Sequence, residues 1–208
     1  RVKIYRTSLK LSNVDIFCRD TQTDKPPILC LHGRWGRGET WVDFIEHYSD
    51  RYRILAPDHR GHGLSSKPVG KYTTEELAGD MLALLDHLKI DSAILVGHSM
   101  SGYVAGYMAA TWPERVRAVA ILDKSANGPE RPSDLPPEEI ALVDPVTADW
   151  PLPFDSLQQA QECIRATMEG SELAYAYFMN SLVEEVDGYH MLFSTQEDQL
   201  DGQGEETQ

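Results

Sequence analysis

Ala93-Ile94-Leu95-Val96-Gly97-His98-Ser99-Met100-Ser101-Gly102 is the stretch on which the fold turns. Four apolar residues run without a break into a glycine, a histidine and a serine, and a small-residue stretch follows at once with Gly102, Ala105, Gly106, Ala109 and Ala110. A strand that is apolar at every position suits a parallel sheet covered on both faces. Small residues in the next element let a helix approach that sheet closely, and Pro113 ends it. A change from strand to helix at Ser99 demands a sharp bend. Residues two before and two after the serine crowd each other there, and Gly97 and Ser101 are both small.

Working outward, three more apolar runs occur at Ile28–Leu31, Tyr52–Ala56 and Val116–Leu122. Val14–Arg19 alternates and reads as an outer antiparallel strand, paired with Lys3–Leu11. Thr73-Thr74-Glu75-Glu76 has capping-box spacing, and Leu77, Met81, Leu84, Leu85 and Leu88 then recur at helical intervals. Strand and helix in regular succession mean a parallel α/β sheet. From Asn127 to His190 the character changes: seven of the twelve prolines fall there, followed by helical patterns at Leu157, Ala160 and Ile164 and at Leu173, Tyr177 and Phe178. The expected organisation is a core over 1–126, a helical cap over 127–194 and an acidic tail of disordered composition over 195–208.

Two other segments agree with the central one. Leu31-His32-Gly33-Arg34 ends the Ile28 strand, and Asp58-His59-Arg60-Gly61-His62-Gly63-Leu64-Ser65 follows the Tyr52 strand. Three motifs in this order, each after an expected strand, resemble the α/β-hydrolase family, in its cap-bearing branch of small serine hydrolases. The resemblance covers roughly Val14 to Phe193. It implies that Ser99 is a nucleophile raised above the sheet on a strained turn. The Met100 and Arg34 N–H groups are the implied oxyanion donors, with Trp35 and Tyr103 lining the substrate pocket. Ser101 stands where the family usually has glycine. The implied substrate is a small ester or related carbonyl compound, with no metal and no organic cofactor. A dehalogenase of the usual kind would need a carboxylate where Ser99 stands.

The family fold continues past the cap with two more strands, whose loops supply the acid and the histidine. Nothing after His190 reads as a strand, so the expected sheet has an incomplete C-terminal half and the triad histidine is not identified. Of the seven histidines, His32, His59, His62 and His98 belong to turns, His47 and His87 to helices, and His190 to the end of the cap. Asp123 follows the Val116 strand on the catalytic edge. It reads either as the triad acid or as a loop carboxylate holding the Lys124–Gly128 turn. A serine without its base is weakly nucleophilic. Three readings stay open: a partial sequence of a serine hydrolase, a non-catalytic ligand- or partner-binding copy, and a half-enzyme completed by another chain. An exposed last strand would invite a homo-oligomer or partner chain at the sheet edge.

Composition narrows the partners. With a formal charge of −14 the chain repels the phosphate backbone, which argues against nucleic acid and against an anionic membrane. No apolar run approaches the roughly eighteen residues of a membrane helix, and no signal-peptide pattern precedes the first strand. Three cysteines, Cys18, Cys30 and Cys163, match no zinc spacing and fit a reducing compartment, hence a cytoplasmic location. The first residue is Arg1, not Met, which reads as a removed start or a fragment.

Overall fold

The computed structural model describes residues 2–68, 72–123 and 146–193. The chain divides into two compact units, Arg1–Pro68 with Tyr72–Pro132, and Val69–Lys71 with Ser133–Gln208. The expected core–cap boundary at 126/127, the Lys124–Gly128 turn and the acidic tail lie outside the described residues.

The first unit is a six-stranded sheet: β1 (Tyr5–Lys10), β2 (Asp15–Asp20), β3 (Pro27–Leu31), β4 (Arg53–Pro57), β5 (Ala93–His98) and β6 (Val116–Leu122). Their order across the sheet is β1-β2-β4-β3-β5-β6. β1 and β2 are antiparallel, as is β2 with β4, and the remaining pairs are parallel. This is a mostly parallel α/β sheet with its central strands at β4 and β3.

Alternation along the strands divides the core. Leu29 and Leu31 of β3, Leu55 of β4 and Leu95 of β5 point to one face, where α2 (Thr74–His87) contributes Leu77, Met81, Leu84 and Leu85 and α3 (Met100–Thr111) contributes Val104, Ala105 and Met108. Ile28, Cys30, Ile54, Ala56 and Val96 point to the other, against Trp41 and Ile45 of the short helix α1 (Val42–Tyr48) and the turn before it. Each fully buried Leu or Ile stabilises the fold by about 1.5–3 kcal/mol relative to exposure, so this two-sided burial is what fixes the register. The capping box is formed as the spacing implied: Thr73 accepts from the Glu76 amide and Glu76 accepts from the Thr73 amide. Close approach of α3 needs less than the run of small residues implied. Ala105 is buried, but a side chain on Gly106 would meet nothing within 4 Å.

β6 is apolar but exposed, with Val119, Ile121 and Leu122 each more than a third accessible. It is the last strand in the sheet order, so its outer side has no neighbour among the described residues. Cys18 and Cys30 are buried free thiols, and desolvation pushes both up from their ordinary pKa. No helix among the described residues is long and apolar enough to cross a membrane.

The second unit holds α4 (Leu157–Thr167), α5 (Glu172–Met179) and a hairpin of β7 (Leu182–Glu185) and β8 (Gly188–Met191). The helices fall where the periodicity put them. The hairpin was not legible, because its strands are half exposed and carry no apolar run. Thus His190, read as the end of a helical segment, lies on β8. Trp150, Phe154, Phe178 and Phe193 form this unit's aromatic core. Leu173 is 87% exposed despite its place in the apolar pattern.

Candidate active site

Ser99 sits between β5 and α3 with φ 50° and ψ −116°, a conformation that L-residues rarely adopt. Such strain persists only where the surroundings hold it. Its N–H donates to the Leu122 carbonyl at 2.8 Å and its carbonyl accepts from Gly102 at 2.8 Å, so strand β6 and helix α3 grip the bend from both sides. The expected crowding is present: a side chain on Gly97 would collide with the Ser101 carbonyl.

The turn after β3 is packed against this bend. A Cβ added to Gly33 would stand 2.9 Å from His98 Nδ1 and 3.3 Å from Ser99 Cβ. Gly33 to Gly36 form a tight turn closed by Gly36 N–H to the Gly33 carbonyl at 3.2 Å, with Trp35 at φ 63°. The Arg34 guanidinium carbon lies 5.2 Å from the centre of the Trp35 ring. Arg34, Trp35 and Tyr103 are all half-buried. A cavity of about 260 Å³ opens at the other end of the strands, around Thr23, Lys25, Arg53 and Lys89, and touches none of these residues.

Behind the turn lies a buried polar layer. The Ser101 hydroxyl donates to the His32 carbonyl and accepts from His59 Nε2 at 2.8 Å. The His59 amide donates to His32 Nε2 at 2.9 Å, so the other ring nitrogen, Nδ1, carries the proton and donates to the Gly33 carbonyl at 2.7 Å. The His32 ring centre is 4.9 Å from that of His59 and 5.1 Å from that of His62. Desolvation holds His32 near a pKa of about 4 and His62 near about 3, and it drives His59 well below its ordinary value, assisted by its two neighbours. All three are neutral at pH 7. Next to them, Asp58 is fully buried and accepts from Arg19 (2.8 Å), the Gly38 amide (2.6 Å) and the Leu64 amide (2.8 Å). The sequence shows Ser101 only as a small residue where the family usually has glycine. A hydroxyl at a crowded, buried position needs partners, and that was the available signal.

Asp123 directly follows β6 with φ 56° and a side chain 86% exposed, its carboxylate 3.8 Å from His98 Nε2. His47 and His87 are exposed on α1 and α2. His190 belongs to the second unit, where it bonds Asp187 at 2.7 Å, and that bond holds the Asp187 carboxyl below its usual range. Glu185, Asp187 and His190 bring ligand atoms within 4.8 Å of one another, the one such group among the described residues, and both carboxylates are exposed.

A family model described as "alpha/beta hydrolase fold" matches residues 26–190. The chain belongs to this family. Within the α/β-hydrolase family, it is 36% identical over 105 residues to 3-oxoadipate enol-lactonase 2 of Acinetobacter baylyi, covering 50% of this chain and 39% of that protein. It is 36% identical over 111 residues to epoxide hydrolase 1 of Caenorhabditis elegans, covering 52% of this chain and 28% of that protein. The chain thus spans well under half the length of these relatives. Among solved structures, E-2-(acetamidomethylene)succinate hydrolase aligns with 99% of this chain and 74% of its own at TM-score 0.73 and 23% identity, a likeness of fold. The enol-lactonase of Burkholderia xenovorans LB400 aligns at TM-score 0.52 and 31% identity over 54% of this chain and 45% of its own.

Proposed function

We propose that this chain is the nucleophile-bearing part of a serine hydrolase acting on a small ester or related carbonyl compound. The observation that carries the reading is the Ser99 conformation, φ 50° at a strand-to-helix bend against which Gly33 is packed. In this reading the Ser99 hydroxyl oxygen bonds to the substrate carbonyl carbon, and the amides of Met100 and Arg34 hold the resulting oxyanion. A general base takes the hydroxyl proton and returns it to the leaving group, and water then releases the acyl group. Asp123 is the candidate acid, and Trp35 and Tyr103 flank the substrate. The base is not one of the three histidines of the polar layer, which are buried, neutral and committed to hydrogen bonds. An enol-lactonase among the relatives supports hydrolysis at a carbonyl centre.

A second reading, completion by another chain or a second copy, is favoured by the exposed apolar edge at β6. Labelling with a fluorophosphonate, read by intact mass and compared with Ser99→Ala, tests both. The proposal expects one phosphonyl adduct that disappears in Ser99→Ala. Adduct formation only after a further chain is added favours the second reading, and an adduct that persists in Ser99→Ala overturns the assignment of the nucleophile.

A further inference from the structure

The buried layer behind the turn is more than packing. Two contacts converge on one peptide unit. The Gly33 carbonyl accepts from His32 Nδ1 at 2.7 Å and from the Gly36 amide at 3.2 Å, so its direction is fixed twice. In a trans peptide the carbonyl and the following N–H point in opposite directions. Holding the Gly33 oxygen toward the His32 ring therefore turns the Arg34 N–H away from that ring. The ring in turn has no freedom. Its Nε2 accepts from the His59 amide, the His32 carbonyl accepts from the Ser101 hydroxyl, and that hydroxyl is held by His59 Nε2. His32, His59 and Ser101 are all 0% exposed. The linkage joins residues 69 positions apart in sequence, from the turn after β3 to the start of α3.

We infer that His32, latched by Ser101 and His59, is a positioning residue that sets the direction of the Arg34 amide toward the oxygen of a group bound at Ser99. This inference rests on the proposed serine chemistry. The arrangement works only with His32 neutral, since a proton on Nε2 would face the His59 N–H. Burial keeps it neutral, holding its pKa near about 4. The serine at position 101 is what makes the latch. A glycine there would leave the His32 carbonyl and His59 Nε2 without this shared partner.

The test is the rate of Ser99 phosphonylation, resolved into its maximal rate and its half-saturating reagent concentration, in the full chain and three variants. His32→Leu removes the Nδ1 donor. His32→Asn keeps an N–H at the Nδ1 position. Ser101→Gly removes the latch and keeps the bend. Loss of one oxyanion donor slows such chemistry by about 10²–10³-fold. His32→Leu is expected to lower the maximal rate by roughly that factor with half-saturation unchanged, and His32→Asn to recover at least about a tenth of the original rate. Ser101→Gly is expected to fall between them, and it decides the question if His32→Leu does not fold. Equal maximal rates in the original chain and Ser101→Gly, or His32→Asn as slow as His32→Leu with both folded, would overturn the positioning role. Loss of Ser99 dependence in the original chain would instead overturn the serine chemistry itself.

Discussion

Asp58→Ala is expected to destabilise the first unit by about 3–5 kcal/mol, the cost of removing one partner of a buried ion pair. The residue is 0% exposed and so is Arg19, whose guanidinium it meets at 2.8 Å. Arg19 keeps Glu39 at 2.6 Å, but Glu39 is 30% exposed and sits at the outer side of the pair. The alanine variant leaves a buried cation half compensated and strips the Gly38 and Leu64 amides of their acceptor. The turn after β4 then loses its anchor, including the bend at Gly63, whose φ of 54° lies directly against the Asp58 carboxylate. Thermal unfolding should show a fall in Tm of roughly 10–20 °C. Asp58→Asn should lose less, since one oxygen remains for Arg19 and Gly38. A fall of only a degree or two in Asp58→Ala would show that the buried pair is not the organising contact of that turn.

Acid is expected to unfold the first unit earlier than carboxylate titration alone would dictate. His32 and His62 are held at about 4 and about 3 in the folded chain, against 6.5 for a free imidazole, chiefly because burial disfavours the charged ring. Between those limits the unfolded chain binds more protons than the folded one, so stability rises with pH. The contribution is complete above about pH 6.5 and is lost as pH falls toward 3–4. For His32 alone the shift corresponds to about 3 kcal/mol. Urea unfolding at pH 7 and at pH 5 should give a clear loss of stability at the lower pH, and His62→Gln should reduce that loss. Equal stability at the two values would mean that these rings are not held neutral by burial.

The fold was legible where one element's pattern was self-sufficient. Uninterrupted apolar runs marked β3 and β5, the Thr73–Glu76 spacing marked the start of α2, and the small-residue step at Gly97 marked the bend at Ser99. What escaped was long-range or exposed. The β7–β8 hairpin is held by pairing between half-exposed strands and by a bridge from Phe154 to Tyr189, neither of which leaves an apolar signature. Leu173 kept helical spacing yet faces solvent, because α5 buries Phe178 instead. At the candidate site, the local bend and its neighbouring turn were readable from Gly97, Ser99 and Gly33. The Ser101–His32–His59 linkage was not, since its partners are brought together only by the sheet order β3-β5 and the turn after β4. Asp123 stands at the strand end where the sequence placed it, but facing solvent and His98, an orientation that no local pattern encodes.

A crystal structure of the phosphonylated chain tests the central claim most directly. If Ser99 is the nucleophile of an oxyanion-stabilising site, phosphorus is bonded to Ser99 Oγ and its oxygen lies about 2.7–3.1 Å from the backbone nitrogens of Arg34 and Met100. An adduct on another side chain, or a phosphonyl oxygen turned to solvent with both amides out of reach, would contradict it.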